Sequence, residues 1–526
     1  MVQRLATPGV YIEEKQAFGN AVAGIPTAVP AFIGYTEFAQ REGKSLILKP
    51  TRIRSLTEFH KHFGKGAHTS FSVKKIEGDD FDIKIATNKY VAALSQSHRF
   101  TFYDSLRMFF ANGGSDCYVV SVGTYTNEIT KTVKAPLGKD GKDNGKTTLV
   151  QERVANSISK KQLEAGLISL IGEEEPTLLA IPEAVQLTKP DCFALQQAML
   201  MHCGQQMKNR FAILDVHGGT NARSYDAQDV ITQFREGIGG NNLNYGAAYY
   251  PWVNASIVQA DEIDFTFFEN KELLEKILIE EADLISDSPK KANELKEEIK
   301  KISDSSTKIA QLNQTLLTIS PAYKNLHNSI RKQLNVMAPS AGAAGVMAMV
   351  DAQRGVWKAP ANVGFAGVIE PSVKLTQEDQ EDLNVTVTGK SVNALRTFIG
   401  EGTTVWGART LDGNSRDWRY INVRRTLIFI EQSIKYAAKA YIYEPNTANT
   451  WILIRGMINS FLNDLWKQGG LVGLNPSDAY QVELGLGTTM TQEDVLDGIM
   501  KITIKVAISR PAEFIVLTFQ QKMQEN

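Results

Sequence analysis

The chain is poor in cysteine and has no long apolar run. Its three cysteines are Cys117, Cys192 and Cys203, an odd number without a Cys-x-x-Cys pair. Buried, reduced thiols fit this pattern better than a disulfide framework or a zinc site, so we expect no metal and no other cofactor. No stretch of about 18 apolar residues is present, and residues 1–4 lack the basic-then-apolar layout of a secretory signal. These absences predict synthesis in the cytoplasm and no direct membrane insertion.

The chain also lacks an excess of charge of either sign. Lysine and arginine number 57 against 58 acidic residues, which gives a formal net charge of -1. Proteins that bind nucleic acid normally carry a basic excess on one face, so no nucleic-acid partner is expected. With 526 residues, of which 43% are hydrophobic, the chain can bury several cores and should divide into domains of about 150 residues.

Signatures of catalysis are missing as well. The chain has no Gly-x-Ser-x-Gly turn, no His-Glu-x-x-His pair and no phosphate-binding loop. The small-residue run 338–345 indicates a closely packed helix with Ser340 as its N-cap. Asp215 and His217 end a predicted strand, where α/β folds often place ligand groups, although a capped turn explains them more simply. An α/β enzyme with an unrecognised active site is the alternative function.

The sequence does contain a regular alternation of strand-like and helix-like segments. The predicted strands are 28–35, 117–122, 177–181, 211–215 and 245–253, and the predicted helices are 103–111, 161–171 and 193–207, with a short helix from Leu56. Such alternation predicts an α/β fold, α+β mixed in its detail, with helices on the faces of a parallel or mixed sheet. The polar stretches 65–100 and 127–160 show weak periodicity and are predicted as loops or small insertions on the surface.

Further along the chain, apolar spacing predicts three helical stretches and one strand. Residues 271–336 carry a heptad-like stripe of leucine and isoleucine, which predicts a helical hairpin inserted into the fold. This insertion is also the one candidate recognition surface for an adhesin. Two long helices are predicted at 424–443 and 450–468. Residues 500–508 alternate apolar and polar side chains, as in a strand with one buried face.

An extended apolar segment lies near each end of the chain. The β-prone residues are Val10, Tyr11 and Ile12 in the first segment and Phe514, Ile515, Val516, Leu517, Thr518 and Phe519 in the second. An unpaired strand edge either aggregates or adds itself to a sheet in another subunit. Edge strands paired within one chain are the alternative for either segment, but a segment at both ends favours a pair of linking arms.

A series of motifs along the chain carries a family resemblance. They are 338–362, which ends Arg-Gly-Val-Trp-Lys-Ala-Pro-Ala-Asn, then 406–411, 418–425, 429–431, 444–446 and 511–514, with 8–14 and 112–114 upstream. In this order the motifs resemble the phage tail sheath family, especially the sheaths of phage-tail-like contractile injection systems. The resemblance says little about the two polar stretches and the helical segment after Lys271.

The resemblance implies a multidomain tail-sheath fold. It implies an N-terminal linking arm at 1–25, a sheath core domain formed by 26–100 and 350–510, an inserted outer α/β domain at 101–349 with the helical insertion at about 265–336, and a C-terminal linking arm at 511–526. In sheaths of this family, the arms of neighbouring protomers complete a small sheet in the C-terminal domain. The predicted arm-accepting strand consists of Ile502, Thr503, Ile504, Lys505 and Val506.

The same resemblance implies a structural, non-enzymatic subunit. Copies would polymerise helically around an inner tube and contract from a metastable extended state to drive the tube through a target envelope. Expected partners are further copies of the chain, the inner tube protein, and baseplate and terminator or cap proteins, with a sheath-recycling ATPase left open. Assembly is expected in the cytoplasm, in a phage-tail-like particle.

A helix of the C-terminal domain holds the tube in such sheaths. The candidate here is 450–468, with Arg455, Asp464 and Lys467 on its polar face. An ordinary solvated helix face explains these three residues about equally well.

Overall fold

The computed structural model describes residues 22–95, 99–134, 147–304 and 308–514. Side chains are described for these residues except 127–134 and 147–154. The chain divides into two compact units. One unit is Pro26–Arg425, and the other combines the residues up to Ile25 with those from Thr426 onward.

The Pro26–Arg425 unit mixes strands and helices along its whole length. Its strands are β1 (Pro30–Thr36), β2 (Gln40–Arg41), β3 (Lys44–Ser45), β4 (Thr51–Ile53), β5 (Phe71–Ile76), β6 (Ile83–Ile85), β7 (Asn88–Leu94), β8 (Cys117–Thr124), β9 (Thr126–Lys134), β10 (Thr147–Ala155), β11 (Leu178–Ala180), β12 (Phe211–Asp215), β13 (Gly246–Tyr250), β14 (Val253–Ala255), β15 (Val336–Met337), β16 (Val363–Gly364), β17 (Val368–Pro371), β18 (Asn393–Phe398) and β19 (Gly402–Trp406). Its helices are α1 (Leu56–Phe63), α2 (Phe102–Ala111), α3 (Lys160–Ser169), α4 (Lys189–Met201), α5 (Val230–Gly237), α6 (Lys271–Ile285), α7 (Pro289–Lys300), α8 (Ile309–Ile319), α9 (Pro321–Leu334), α10 (Ser340–Arg354) and α11 (Gln377–Asn384).

A large mixed sheet organises this unit. Its strand order is β16-β19-β18-β13-β12-β11-β1-β8-β4, and the strands from β18 to β8 run parallel. β4 pairs antiparallel at one edge, and β19 and β16 pair antiparallel at the other. The predicted α/β fold with a parallel or mixed sheet is confirmed. Its central strands read as continuous apolar runs because both of their faces are buried, as in β12.

Two apolar cores cover the two faces of the large sheet. Successive residues of β1 enter different cores because side chains alternate across a strand. Ile33 joins the core that contains Leu163 of α3, whereas Phe32 joins the core that contains Phe109 of α2. Helices therefore shield the sheet on both sides.

The small residues of α10 serve close packing, as predicted. A Cβ atom at Gly345 would lie 2.5 Å from the Phe109 carbonyl oxygen. The prediction that Ser340 is the N-cap is wrong, because Pro339 occupies that position and Ser340 is the first helical residue. The Ser340 N–H group donates instead to the Asp215 carboxylate at 2.8 Å. A buried acidic side chain from β12 thus supplies the acceptor that a local hydroxyl group was expected to provide.

A buried carboxyl group ties β1 to α2. Glu183 is fully buried and accepts hydrogen bonds from the N–H groups of Tyr35, Thr101 and Phe102 at 2.9, 3.1 and 3.3 Å. Burial raises the pKa of Glu183 to about 8, although the three donors act in the opposite direction. The N-terminus of α2 therefore depends on an acceptor that lies 81 and 82 residues after Phe102 and Thr101 in the sequence.

A third core joins two stretches that are far apart in the sequence. β5, β7 and β6 form an antiparallel sheet, and its Phe71 and Tyr90 pack with Leu274 and Tyr323 of the helices α6–α9. Of the two alternatives for 65–100, the loop is therefore wrong: these residues form a small sheet, and exposed lysines in β5 mask the alternation of a strand with one buried face. The predicted single helical hairpin is also wrong, since the segment forms four helices that pack against this sheet.

The second predicted loop, 127–160, is wrong over much of its length. β9 and β10 pair antiparallel, from Thr126 opposite Ala155 to Lys134 opposite Thr147. Both strands are rich in threonine and charged residues. The apolar alternation that predicts a half-buried strand is therefore weak in them.

The compact units have different boundaries from the predicted domains. The large sheet takes β1 and β4 from 26–100, four strands from 101–349, and β16, β18 and β19 from the stretch after residue 350. A sheet whose neighbouring strands come from all three stretches folds as one unit. The remaining part of the predicted core domain, from Thr426 onward, belongs to the second unit.

The second unit contains long helices and one small sheet. Its elements are the end of α12 (Ile421–Ala438), then α13 (Ala448–Lys467), α14 (Pro476–Ala479), β20 (Tyr480–Glu483), α15 (Gln492–Leu496) and β21 (Thr503–Val506). The two predicted long helices and the predicted strand at 500–508 are confirmed with shifted ends. α13 buries Ile454, Ile458 and Leu462 on one face. Among the described residues, no helix has both the length and the apolar character of a membrane-spanning segment.

Candidate subunit interface

The small sheet of the second unit has only two strands in the described part of the chain. β20 and β21 are antiparallel, with the pairs Tyr480↔Val506, Gln481↔Lys505, Val482↔Ile504 and Glu483↔Thr503. Beyond β21, Ile508 forms a further bridge with Leu471. A further strand can pair with such a small sheet where an edge of it is unpaired.

Hydrogen bonding along β21 separates a paired side from an open side. The Ala507 N–H group donates to the Ala479 carbonyl at 2.9 Å. In an antiparallel strand both backbone groups of one residue point the same way, and those of the next residue point the opposite way. Lys505, two residues before Ala507, therefore directs its backbone groups toward β20. Those of Ile504 and Val506 point away from it.

The open side of β21 has no strand partner in the part of the chain that the structure describes. Within the same residues, the N–H and C=O groups of Ile504 and Val506 make no backbone hydrogen bond on that side. Such groups form a template for a further strand. The predicted arm-accepting residues thus include an open strand edge, and their role as an acceptor stays a prediction.

The other edge of the sheet, along β20, is occupied at both ends. At one end the Tyr480 N–H group donates to the Pro476 carbonyl in the turn of α14. At the other end the Arg455 guanidinium group of α13 donates to the Leu484 carbonyl. Only Val482 lies between these two positions with its backbone directed outward. The sheet therefore has one open edge and one largely closed edge.

The two faces of β21 differ in polarity. Ile504 and Val506 are half-buried on one face, and Thr503 and Lys505 are exposed on the other. Lys505 Nζ lies 3.1 Å from Glu483 Oε1, and the Lys505 side chain is 62% exposed. A strand added along this edge would meet a partly covered apolar face and a solvent face with an accessible ammonium group.

Both ends of the described chain leave from this unit. The Ile25 N–H group donates to Ser433 Oγ at 3.3 Å, and a Cβ atom at Gly24 would lie 3.1 Å from the ring of Phe429. At the other end, Phe514 lies outside any strand and is 71% exposed. The other predicted arm residues, Val10, Tyr11, Ile12, Ile515, Val516, Leu517, Thr518 and Phe519, lie outside the described residues. The arm strands therefore stay a prediction.

The three predicted tube-contact residues lie on α13, and their contact with an inner tube stays a prediction. Arg455, Asp464 and Lys467 are all exposed on α13, but Arg455 is engaged with the Leu484 carbonyl. Sequence reasoning missed two apolar residues on the exposed side of the same helix, Ile452 and Leu453. The signal was available, because both residues lie off the apolar face formed by Ile454, Ile458 and Leu462.

Many large apolar side chains of the second unit face solvent. They are Ile442, Tyr443, Ile452, Leu453, Val472, Leu474, Leu486, Leu496, Ile499 and Phe514. Single exposed apolar residues are common on proteins, but a unit of about a hundred residues with this many is typical of a surface that contacts other chains.

The residues considered for catalysis have structural partners. Asp215 accepts the Ser340 N–H group, and burial raises the pKa of Asp215 to about 7. His217 Nε2 lies 3.2 Å from the Leu187 carbonyl oxygen. Over the described ranges, no group of His, Cys, Asp and Glu side chains is arranged to hold a metal ion. The three cysteines are free and buried.

Sequence comparisons place the second unit among known proteins. Residues 414–522 match the family model of the phage tail sheath C-terminal domain. The tail sheath protein of Burkholderia phage BcepMu is 28% identical over 139 residues, which are 26% of this chain and 29% of that protein. A putative prophage major tail sheath protein of Pseudomonas aeruginosa strain UCBPP-PA14 is 25% identical over 134 residues, which are 25% of this chain and 34% of that protein. The matched stretches thus span about a third or less of these relatives.

Structural comparisons extend over nearly the whole chain. The sheath complex of the extracellular contractile injection system PVC, in its contracted state, is similar with a TM-score of 0.56 and 26% identity, and 99% of each chain is covered. The helical sheath of the anti-feeding prophage, also contracted, is similar with a TM-score of 0.58 and 26% identity, covering 98% of this chain and 99% of that one.

Proposed function

Because residues 414–522 match the family model of the phage tail sheath C-terminal domain, we propose that this protein is the subunit of a contractile sheath. It is a structural protein and not an enzyme. Its copies polymerise helically around an inner tube and contract from a metastable extended state, which drives the tube through a target envelope. The observation that carries the proposal is the similarity to contracted sheaths over nearly the whole chain.

The second unit supplies the linkage between subunits. Its open β21 edge and its exposed apolar side chains support a role in joining copies. An added strand contributes about five backbone hydrogen bonds at roughly 0.5 to 1.5 kcal/mol each. Buried valine or isoleucine side chains contribute about 1.5 to 3 kcal/mol apiece. Links of this strength hold neighbouring subunits together while rigid bodies move.

The terminal arms join neighbouring subunits into a continuous network, and these joints stay paired during contraction. The terminal segments 8–14 and 514–519 add as strands to C-terminal domains of neighbouring subunits, and the residues between arm and globular unit act as joints. The extended sheath is metastable because each subunit gains interface area on contraction. Spontaneous re-extension of a contracted sheath would contradict this part of the proposal.

Further partners follow from the proposed role. They are the inner tube protein, baseplate proteins and terminator or cap proteins, and a sheath-recycling ATPase is left open. The exposed side of α13, with Asp464 and Lys467, is proposed to contact the inner tube. Assembly takes place in the cytoplasm as part of a phage-tail-like particle.

Removal of residues 1–20 tests the proposal. We expect the shortened chain to fold but to build no continuous sheath, because the Pro26–Arg425 unit and the small sheet form without this segment. Full-length and shortened chains are each co-expressed with the inner tube protein and compared by negative-stain electron microscopy. A matched control keeps the chain length and scrambles residues 8–14.

The possible outcomes distinguish the role of the N-terminal arm from the sheath function itself. Tubes from the full-length chain and dispersed particles from both altered chains support an arm-linked sheath. Sheaths of normal length from the shortened chain would contradict the role of the N-terminal arm. If the full-length chain forms no tubular assembly on the inner tube, the sheath proposal itself is wrong.

A further inference from the structure

We propose that the tip of the β18–β19 hairpin of one copy enters a cleft beside α1 of a second copy, where Glu401 of the tip faces Arg41 and Lys61. This inference rests on the proposed sheath function. It adds to that function a contact between the Pro26–Arg425 units of neighbouring subunits, and it names the two surfaces that meet.

The cleft lies between the β2–β3 hairpin and α1 and has a volume of about 790 Å³, which is in the range of ligand clefts. Its lining includes two basic side chains, Arg41 and Lys61, and two acidic ones, Glu42 and Glu58. Glu58 already accepts the Arg54 N–H group at 2.9 Å. Arg41 and Lys61 are exposed and form no ion pair with any residue that the structure describes. Their charges are therefore available to an acidic ligand.

A buried histidine in the wall of the cleft indicates the same kind of ligand. His62 is 6% exposed, and its Nδ1 atom has no hydrogen-bond partner among the described residues. Buried polar atoms are normally paired, so an unpaired one in the wall of a cleft points to a ligand. A carboxylate matches this wall, because it accepts hydrogen bonds from imidazole, ammonium and guanidinium groups alike.

The tip of the β18–β19 hairpin carries such a carboxylate. Its loop is Ile399-Gly400-Glu401, which is closed by the pair Phe398↔Gly402 and by the Glu401 N–H group, which donates to the Phe398 carbonyl at 3.2 Å. Gly400 and Gly402 have φ angles of 84° and 74°, in the left-handed region that favours glycine. The tip therefore has a defined backbone, and the side chains of Ile399 and Glu401 are exposed on it.

The other side chains of the tip are typical of a contact surface. Ile399 is fully exposed, and the half-buried ring of Phe398 has its centroid 4.6 Å from that of Trp406, which is 37% exposed. Aromatic side chains contribute strongly to the binding energy of interfaces. Glu401 forms no ion pair within the described ranges. The tip thus combines apolar side chains with one unpaired carboxylate, whose charge complements the two cations of the cleft.

The tip and the cleft lie at opposite ends of the large sheet. β19 stands next to the end strand β16, whereas α1 follows directly after the other end strand, β4. Six strand spacings separate β18 from β4, which is roughly 29 Å at about 4.8 Å per strand. The tip therefore cannot reach the cleft of its own chain, and a second copy supplies it. A contact between two different surfaces repeats from copy to copy and builds a ring or a helical filament.

Engineered cysteine pairs test this contact in the assembled sheath. The native cysteines are buried, so a new disulfide is assigned to introduced residues. The full-length chain carries Glu401→Cys with Lys61→Cys, and a matched control carries Glu401→Cys with Lys49→Cys. Lys49 is exposed but does not line the cleft. A disulfide forms only where two Cα atoms lie within about 7 Å of each other.

We expect a ladder of covalent multimers from the Glu401–Lys61 positions on non-reducing gels of sheath assembled with the inner tube protein, before or after contraction, and monomers from the control pair. Monomers from both pairs in both states would overturn the contact. Equal ladders from both pairs would show random collision and would also overturn it. A cross-linked monomer would place the tip in the cleft of its own chain and exclude the second copy as its source.

A charge exchange distinguishes failure of this inference from failure of the proposed function. We expect Glu401→Lys and Lys61→Glu each to lose most of the sheath that the wild-type chain forms, and their combination to restore it, whereas Lys49→Glu changes nothing. Circular dichroism checks that each variant folds. Normal yields from both single variants would contradict the contact and leave the sheath function intact, as would a folded double variant that forms no sheath. If the wild-type chain itself builds no sheath on the inner tube, the proposed function fails and this inference with it.

Discussion

Replacement of Val506 by proline is expected to stop sheath assembly while the protomer stays folded. The Val506 N–H group points away from β20, so proline removes no hydrogen bond from the protomer, and proline is tolerated on edge strands for this reason. An added strand loses a donor at its centre and leaves a buried carbonyl unsatisfied, at a cost of about 1 to 3 kcal/mol per junction. Each link becomes roughly 5- to 150-fold weaker.

The measurement compares Val506→Pro with Val506→Ala by electron microscopy and by far-ultraviolet circular dichroism. Alanine keeps the N–H group and loses only the side chain, so we expect Val506→Ala to assemble. Sheaths of normal length from Val506→Pro would mean that strand addition does not use the β21 edge. An altered circular dichroism spectrum would mean that proline damages the protomer, and Ile504→Pro, whose N–H group also faces away, then repeats the test.

Replacement of Glu183 by alanine is expected to destabilise the Pro26–Arg425 unit by about 3 to 9 kcal/mol. The change leaves three buried N–H groups, those of Tyr35, Thr101 and Phe102, without their acceptor, and each orphaned donor costs about 1 to 3 kcal/mol. Urea unfolding followed by tryptophan fluorescence measures the loss. Glutamine has the size of glutamate and keeps one acceptor oxygen. We therefore expect Glu183→Gln to lower the free energy of unfolding by roughly half as much.

Glu183 also predicts how stability changes with pH. Its pKa is about 8 in the folded protein, against an ordinary value of 4.5. Between these values the folded chain holds a proton that the unfolded chain has lost. The stability that this bound proton contributes to the folded protein is therefore fully present below about pH 4.5. The free energy of unfolding falls as pH rises toward 8, by up to about 1.4 kcal/mol per pH unit. Glu183→Gln should remove this slope. An equal slope in the wild-type chain and in Glu183→Gln would show that other groups cause it.

The sequence predicts those elements whose own hydrophobic pattern reflects which of their faces are buried. β12 was predicted with its observed bounds because a central parallel strand is apolar throughout. α13 was predicted because its buried face repeats at helical spacing. The terminal segments were singled out by their composition alone. The sheath function was predicted by motifs distributed along the chain.

Other features depended on partners that are distant in the sequence. β5–β7 have weak alternation of their own, and only packing against α6–α9 provides the apolar face that makes them a sheet. The acceptor for the Ser340 N–H group at the start of α10 comes from Asp215, and the acceptor for the start of α2 comes from Glu183, so neither could be read from neighbouring residues.

The sequence by itself thus determined the α/β character of the chain, its long helices and the β-prone ends that suit linkage between copies, because periodicity and composition are local properties. Only the tertiary structure decided that β21 has an open edge and β20 a closed one. The direction of a backbone N–H group depends on which strand lies beside it. The closing side chain, Arg455, reaches β20 from a helix 29 residues away in the sequence.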